Sequence, residues 1–159
     1  MMAPGERQIS PTLDGIRRDH VARYEFSARV LPKGSRVVDF ACGVGYGARI
    51  LADAGHRSYG FDIDREAIDY ANEHYAFRIK SDPSITGDVA VFLTENGNAP
   101  GELGDYDAAV CFETIEHLQD PRPLLKALRV SAPTLIASVP NEDVMPYEYE
   151  PGKVYEFHY

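Results

Sequence analysis

The fold of this chain is decided by residues 37–47, V-V-D-F-A-C-G-V-G-Y-G. The first four residues combine β-branched and aromatic side chains with one acid, which is the composition of a buried strand with a polar end. The glycine-rich half opens a helical segment over residues 48–54, which Gly55 closes. Glycines at such a turn let a ligand lie against bare backbone, and the start of the helix offers unpaired N–H groups. The segment therefore predicts a nucleotide-binding turn between a strand and a helix.

The charge of this turn helps to identify its ligand. Gly43, Gly45 and Ala48 satisfy the G-x-G-x-x-G/A pattern of dinucleotide sites, so the glycines alone leave NAD open. Asp39, four residues before Gly43, places a carboxylate where a pyrophosphate would bind, and like charges repel. S-adenosylmethionine carries a sulfonium and an ammonium group, which an acid attracts. The acid therefore favours S-adenosylmethionine over NAD.

The same segment resembles the first motif of the class I S-adenosylmethionine-dependent methyltransferases. The resemblance continues in three later blocks and covers residues 20–142; the blocks are residues 60–64 (G-F-D-I-D), 107–121 and 138–141 (S-V-P-N). It implies an α/β fold with a Rossmann-like, doubly wound and mostly parallel sheet in a three-layer αβα arrangement. It also implies S-adenosylmethionine as the cofactor and S-adenosylhomocysteine as the product.

The length predicts a single domain over residues 1–159, and the resemblance implies that this domain binds S-adenosylmethionine. Residues 1–9 are predicted to be a loose leader, and residues 143–159 an irregular tail rich in aromatic residues. A helix is predicted over residues 10–31, with Ser10-Pro11 at its start, and the resemblance implies that it covers the cofactor. The other predicted strands are residues 58–61, 89–93, 108–112 and 134–139, and further helices follow Asp64 and Pro121.

The composition limits the partners. A formal net charge of −9 argues against general affinity for nucleic acid or anionic membranes, because both require a basic surface. The start of the sequence does not have the pattern of a signal peptide, and no apolar run approaches the roughly 18 residues of a membrane span. We therefore expect a cytoplasmic protein that acts on a small molecule, with neither nucleic acid nor membrane as a partner. Cys42 and Cys111 are expected to be reduced thiols.

The last predicted strand indicates a further partner. Enzymes of the class normally continue with two more strands, whereas this sequence stops at Tyr159. The resemblance therefore implies a fold that lacks the last two strands of the class I methyltransferases. An apolar fifth strand at the edge of a sheet favours self-association. We expect either a homo-oligomer that covers this edge or a monomer that is prone to aggregation.

Residues at the ends of the first two strands are predicted to hold the cofactor. Asp62 follows Asp39 by 23 residues, and an acid there accepts hydrogen bonds from the ribose hydroxyls in dinucleotide folds and methyltransferases alike. Asp64 is expected to be the N-cap of the next helix. The resemblance implies that Asn98, in place of the acid of a G-D-A turn, accepts from the adenine amino group. It also places Arg23 or Tyr24 near the methionine end, with core packing of Tyr24 as the alternative. The predicted cofactor-binding set is Tyr24, Asp39, Ala41, Cys42, Gly43, Gly45, Tyr46, Asp62, Ile63, Asn98, Ala99 and Phe112.

The candidate catalytic residues follow the fourth predicted strand, in the sequence E-T-I-E-H of residues 113–117. Ligands of open α/β sheets bind beyond the carboxyl ends of the strands. His117 is the predicted general base for an acceptor hydroxyl, with Glu113 as a second catalytic residue. Alternatively, E-x-x-E-H resembles the divalent-metal cluster of small-RNA 2′-O-methyltransferases and ubiquinone-pathway O-methyltransferases. The metal-ligand candidates are then Glu113, Glu116, His117 and His158, although we predict no metal. In the simplest interpretation, Glu116 and His117 only fix the start of a helix.

Three functions are compatible with these observations. The first is an S-adenosylmethionine-dependent methyltransferase that methylates an oxygen atom of a small molecule or sugar. The second is a module that binds S-adenosylmethionine or S-adenosylhomocysteine without transferring a group. The third is an NAD-dependent oxidoreductase. The position of Asp39 favours the first two.

Overall fold

The computed structural model describes residues 8–78, 88–94, 104–141, 148–150 and 153–154, and it gives side-chain surroundings for residues 8–76 and 104–141. The helices are α1 (Arg18–Val30), α2 (Tyr46–Asp53), α3 (Arg65–His74) and α4 (Arg122–Ser131). The strands are β1 (Arg36–Phe40), β2 (Arg57–Asp62), β3 (Phe77–Arg78), β4 (Asp88–Thr94), β5 (Ala108–Phe112), β6 (Thr134–Ser138), β7 (Glu148–Glu150) and β8 (Lys153–Val154). Single 3-10 turns lie at Leu13–Gly15 and Ile115–His117.

The main sheet has the strand order β3-β4-β2-β1-β5-β6. The pairs β4·β2, β2·β1, β1·β5 and β5·β6 are parallel, and β3 pairs with β4 in the antiparallel direction. The chain leaves β1 toward β2 and later returns to the other side of β1 with β5. This reversal of the strand order confirms the predicted doubly wound and mostly parallel sheet.

Alternate residues of the central strands face different helices, as the pleat of a strand requires. Val37 of β1 packs with Ala108 and Val110 of β5 against α1 and α2. Val38 packs with Cys111 and their neighbours on the opposite face, against α4. All five side chains are completely buried. Helices therefore cover both faces of the sheet, and the predicted three-layer arrangement is confirmed.

The first helix is shorter than predicted. It begins at Arg18 and not at Ser10, and the segment between them contains a 3-10 turn. The Ser10 hydroxyl accepts a hydrogen bond from the backbone N–H of Thr12 (3.2 Å), and the Ser10 carbonyl accepts one from the Tyr75 hydroxyl (2.6 Å). These bonds hold the start of the segment in a turn that is tied to the end of α3. A local turn that Ser stabilises competes with a helix N-cap, so the sequence pattern extended the helix too far.

Two further segments differ from the sequence predictions. The short strand β3 was not among the predicted strands. The tail, predicted to be irregular, contains β7 and β8, which form an antiparallel pair in a second sheet. The sequence between these two strands is Pro-Gly, a turn signal that the aromatic composition of the tail obscured. Within the described residues, no helix combines the length and the apolar character that crossing a membrane requires.

Candidate functional site

The candidate site lies at the carboxyl ends of β1, β2 and β5, where α1 covers the start of α2. Parallel strands end at one edge of the sheet, and the switch in strand order beside β1 opens a crevice there. The topology therefore brings together the turn after β1, the acids after β2 and the segment that begins at Glu113. Helix α1 packs over these segments and contacts them through His20, Arg23 and Tyr24.

The turn after β1 has the backbone that its glycines predict. Gly43 and Gly45 have φ values of 55° and 90°, in the left-handed region that glycine adopts without strain. The Gly45 N–H closes the turn by donating to the Cys42 carbonyl at 3.1 Å. Ala41 also has a positive φ, of 62°, where its Cβ is unfavourable. The chain therefore forms the predicted turn, with one non-glycine residue held in a glycine-like conformation.

Asp62 holds this turn from the neighbouring strand. Its Oδ2 accepts from the Gly43 N–H at 2.8 Å, and its Oδ1 accepts from the Asp64 N–H at 2.9 Å. The side chain is buried, whereas the next residue, Ile63, is 60% exposed. Asp64 accepts from the N–H groups of Glu66 (3.0 Å) and Ala67 (3.4 Å) at the start of α3. The predicted N-cap role of Asp64 is confirmed.

Asp39 is completely buried beneath the turn. The Tyr24 hydroxyl donates to its Oδ1 at 3.2 Å, whereas its Oδ2 is buried without a hydrogen-bond partner among the described residues. Burial raises the pKa of Asp39 to about 7, and the nearby carboxylate of Asp62 adds to this shift, whereas the Tyr24 hydroxyl and the backbone N–H of Ala48 oppose it. A buried oxygen without a partner is costly. Asp39 is therefore poised to accept from a cationic group that enters the turn.

Aromatic side chains enclose the space above Asp39. The Tyr24 ring lies edge-on to Tyr46 (5.7 Å between centroids) and to Phe112 (4.9 Å). It also lies directly over Gly47, where any Cβ would collide with the ring. Tyr24 is thus buried among aromatic residues, as the packing alternative predicted, while its hydroxyl bonds to Asp39 at the site.

His20 is a site residue that the sequence analysis missed. Its Nδ1 lies 3.0 Å from the Tyr46 hydroxyl, and its side chain is 17% exposed. Burial, followed by the nearby guanidinium of Arg23, lowers the pKa of His20, so the imidazole is neutral at neutral pH. His20 lies four residues before Tyr24, on the same face of α1. This position, one helical turn before the proposed cofactor contact Tyr24, is the sequence feature that could have identified His20.

A second chain of contacts joins α1 to the ends of β5 and β6. Arg23 Nη2 lies 3.4 Å from Glu113 Oε1, and the Ser138 hydroxyl donates to the same oxygen at 2.8 Å. Arg23 Nη1 is buried and has no hydrogen-bond partner among the described residues. Glu113 has a φ of 51°, an uncommon value for a non-glycine residue. Such a conformation often marks a functional position. Ser138 was not predicted, because its contact partner Glu113 follows a different strand, β5.

The predicted catalytic residues, His117 and Glu113, are not part of a metal-binding cluster among the side chains that the structure describes. His117 lies in the 3-10 turn after β5, with its Nε2 4.0 Å from Glu116 Oε1, while Glu113 is directed toward Arg23. Among the side chains that the structure describes, no group of three or more His, Cys, Asp or Glu residues is arranged to hold a metal ion. Three predicted residues, Asn98, Ala99 and His158, lie outside the described residues. Both cysteines are buried free thiols.

Comparison with known proteins places this arrangement in a family. A family profile described as a methyltransferase domain matches residues 16–151. The ubiquinone biosynthesis O-methyltransferase of Xanthomonas campestris pv. campestris (strain B100) is 30% identical over 125 residues, which cover 79% of this chain and 48% of the relative. The chain therefore spans about half the length of the curated relatives that it matches.

Solved structures share the fold. The magnesium protoporphyrin IX methyltransferase of Synechocystis PCC 6803, solved with bound SAM, superposes with a TM-score of 0.56 at 25% identity, over 78% of this chain and 57% of that chain. A chain of a complex that contains the Haloferax volcanii Trm112 methyltransferase activator gives a TM-score of 0.65 at 23% identity, over 89% of this chain and 62% of that chain.

Proposed function

This chain belongs to the methyltransferase domain family, and on that premise we propose that it transfers the methyl group of S-adenosylmethionine to an oxygen atom of a small molecule. The observation that carries the proposal is the buried carboxyl of Asp39 under the glycine turn, with one oxygen unpaired among the described residues. A pyrophosphate would be repelled there, whereas an ammonium group would supply the missing donor. The bound SAM in the Synechocystis structure and the name of the Xanthomonas relative support the cofactor and the oxygen acceptor.

The residues of the turn provide a site for the adenosine part of the cofactor. A carboxylate has about four acceptor positions, so the two backbone bonds of Asp62 do not exclude bonds from the ribose hydroxyls. Gly43 and its neighbours Ala41 and Cys42 present backbone without bulky side chains. The exposed side chain of Ile63 is available to pack on the adenine. Asn98 and Ala99 are proposed to meet the adenine edge.

The methionine part of the cofactor has opposite charges at its end, and the site offers a partner for each. Asp39 Oδ2 is the proposed acceptor for the ammonium group. Arg23 Nη1 is the proposed donor to the carboxylate, because it is a buried donor that lacks a partner among the described residues. Tyr24 holds Asp39 in place, and Phe112 packs beside it.

Methyl transfer is an in-line displacement, so the protein mainly has to bring the two reactants together and remove the proton of the acceptor. We propose His117, close to the carboxyl end of β5, as the base. Glu113 is the second candidate, and its Oε2 is the oxygen available for a proton, because Ser138 and Arg23 both contact Oε1. The attacking oxygen forms a bond to the methyl carbon as the bond from that carbon to sulfur breaks. The proton passes to the base.

Calorimetry would test the cofactor assignment. The chain is titrated separately with S-adenosylmethionine, S-adenosylhomocysteine and NADH, and we expect the first two to bind and NADH to give no signal. Asp39→Asn should weaken S-adenosylmethionine binding by about 10-fold or more, because an amide cannot form an ion pair with ammonium. Asp69→Asn, the same change at an exposed acid of α3, is the control. Binding of NADH alone, or no binding of either adenosyl compound, would refute the proposal.

The acceptor atom needs a separate assay. S-adenosylmethionine labelled in its methyl group is incubated with the chain and a panel of phenols, alcohols and matched amines. We expect label in methyl ethers. Label that appears only in methylamines would show that the acceptor is nitrogen, while leaving the cofactor assignment intact.

A further inference from the structure

We propose that Ser138 is a positioning residue that acts through Glu113 to hold Arg23 against the carboxylate of the bound cofactor. The inference rests on the proposed function, because it concerns the amino-acid end of S-adenosylmethionine. It assigns a role to the end of β6, a strand that supplies none of the predicted cofactor-binding residues.

The contacts of Ser138 fix Glu113 at two points. Phe112 pairs with Ser138 at the end of the β5·β6 ladder, and the Glu113 N–H donates to the Ser138 carbonyl at 3.0 Å. The Ser138 hydroxyl then donates to Glu113 Oε1 at 2.8 Å. A glutamate side chain has several rotatable bonds, and its 25% exposure leaves it room to move. The charge-assisted bond from Ser138 therefore selects one orientation of the carboxylate.

This orientation decides where the Arg23 guanidinium points. Two acids compete for Arg23 Nη2: Glu113 Oε1 at 3.4 Å on the side of the site, and Asp19 Oδ2 at 3.9 Å on the same helix. Asp19 is 47% exposed and also forms a two-point contact with Arg17. If Glu113 turns away, Asp19 becomes the nearer partner, and the guanidinium shifts toward solvent.

When Nη2 of Arg23 contacts Glu113, Nη1 remains available to the ligand. Nη1 is buried and unpaired among the described residues, so a guanidinium anchored at Nη2 has a ready donor on its other arm. Loss of the Ser138 hydroxyl should therefore weaken contacts to a carboxylate and leave contacts to the nucleoside unchanged. This selectivity separates a positioning role from a general role in folding.

Two probes distinguish these possibilities. S-adenosylhomocysteine has the adenine, the ribose, the sulfur and the amino-acid group, whereas 5′-methylthioadenosine lacks the amino-acid group. In calorimetric titrations, we expect Ser138→Ala to weaken S-adenosylhomocysteine binding by about 3- to 30-fold, with no change for 5′-methylthioadenosine. Ser138→Thr keeps the hydroxyl and should bind both probes like the wild type. Thr134→Ala, at an exposed position of the same strand, is the matched control.

Two further variants extend the test, and the first of them remains informative if Ser138→Ala folds poorly. Glu113→Gln retains the shape of the side chain but removes its charge, so it should show the same selective loss. Asp19→Asn combined with Ser138→Ala removes the competing acid and should restore part of the affinity for S-adenosylhomocysteine. A local packing defect at β6 would not be rescued from α1.

The outcomes separate the two proposals. Unchanged S-adenosylhomocysteine affinity in Ser138→Ala, or equal losses for both probes, would overturn the role of Ser138 while the proposed function stands. A wild-type chain that binds neither probe would overturn the proposed function and this inference with it.

Discussion

Asp39 couples the stability of the folded chain to pH. Burial raises its pKa to about 7, whereas an aspartate in an unfolded chain has a pKa near 3.9. Between these values the folded chain binds more protons than the unfolded chain, so the free energy of unfolding falls as pH rises through 7. The stabilisation that neutral Asp39 contributes to the folded chain is fully present below about pH 4 and is lost above pH 7.

Asp39→Asn should therefore stabilise the ligand-free chain in a pH-dependent way. An amide can still accept the Tyr24 bond but carries no charge, so the gain should reach up to about 4 kcal/mol at pH 8 and be small near pH 4. Urea unfolding at the two pH values measures it. The same difference between variant and wild type at both pH values would show that ionisation of Asp39 is not the cause.

Ala41 is held in a conformation that suits glycine, with a φ of 62°. Ala41→Gly should leave stability within about 1 kcal/mol of wild type, because relief of strain offsets the larger entropy of the unfolded chain. Ala41→Val should destabilise by about 1–3 kcal/mol, since a β-branched residue tolerates this conformation poorly. The free energy of unfolding in urea tests both.

Ala22 provides the matched control, because it is exposed in the middle of α1. There the order should reverse, with Gly costing about 1 kcal/mol and Val about half as much. The same order at both positions would contradict strain at Ala41.

The sequence located the glycine turn and the acids near the end of β2. In the structure the glycines form the turn, Asp62 bonds to it from the neighbouring strand, and Asp64 caps α3. His20, Ser138 and the direction of Glu113 were not predicted. These side chains meet partners on other elements, and only the packing of α1 on the sheet and the register of β5 and β6 bring them together.

At the scale of the elements, α3 depends on its cap. Asp64→Ala removes the acceptor for two N–H groups at the start of the helix and should cost about 1 kcal/mol of unfolding free energy, with little change in cofactor binding. Thermal unfolding and calorimetry measure the two effects. Asp69→Ala, which removes only an exposed pair with Arg65, should cost about 0.3–0.5 kcal/mol.

Asp62→Ala should behave differently from Asp64→Ala. Loss of the proposed ribose acceptor should cost on the order of 1–3 kcal/mol of S-adenosylhomocysteine binding. It also frees the N–H groups of Gly43 and Asp64, so some stability should be lost as well. Equal cofactor affinities in the two variants would show that Asp62 is not the ribose acceptor.

The start of α1 shows where local patterns fail. Apolar residues at helical spacing from Ile16 onward indicate a helix correctly, whereas the Ser10-Pro11 cap signal placed its start too early. The bond from Tyr75, at the end of α3, to the Ser10 carbonyl is a long-range contact that the local sequence does not encode. Helix existence was therefore predictable from periodicity, while its first residue was set by tertiary packing.

At the scale of the whole molecule, β6 is exposed at the end of the described main sheet. None of the described strands pairs with its outer edge, and Leu135 and Val139 are 40% and 51% exposed. Strand edges without charged residues favour pairing between chains. We therefore expect self-association that increases with concentration.

Leu135→Lys should shift this equilibrium toward the monomer, because a charge on an edge strand opposes pairing. Size-exclusion chromatography with light scattering over a range of concentrations measures the shift. Val130→Lys, at a 78% exposed position of α4, should leave it unchanged. A wild-type chain that remains monomeric at the highest concentration would contradict the expectation.

The overall architecture was the most predictable level. Apolar runs indicated the strands, the family resemblance implied a parallel sheet with helices on both faces, and the strand pairing bears this out. The short antiparallel elements β3 and β7·β8 were missed, because two or three residues carry too little periodicity to be recognised.

The contact between Tyr24 and Gly47 matters for any attempt to redesign this protein. Since a Cβ at position 47 would collide with the tyrosine ring, the two positions behave as a single unit of variation. A library that randomises position 47 alone would discard most of its members, whereas paired changes, such as a smaller residue at 24 with alanine at 47, would keep the volume constant. Helix α1 and the start of α2 therefore have to be diversified together.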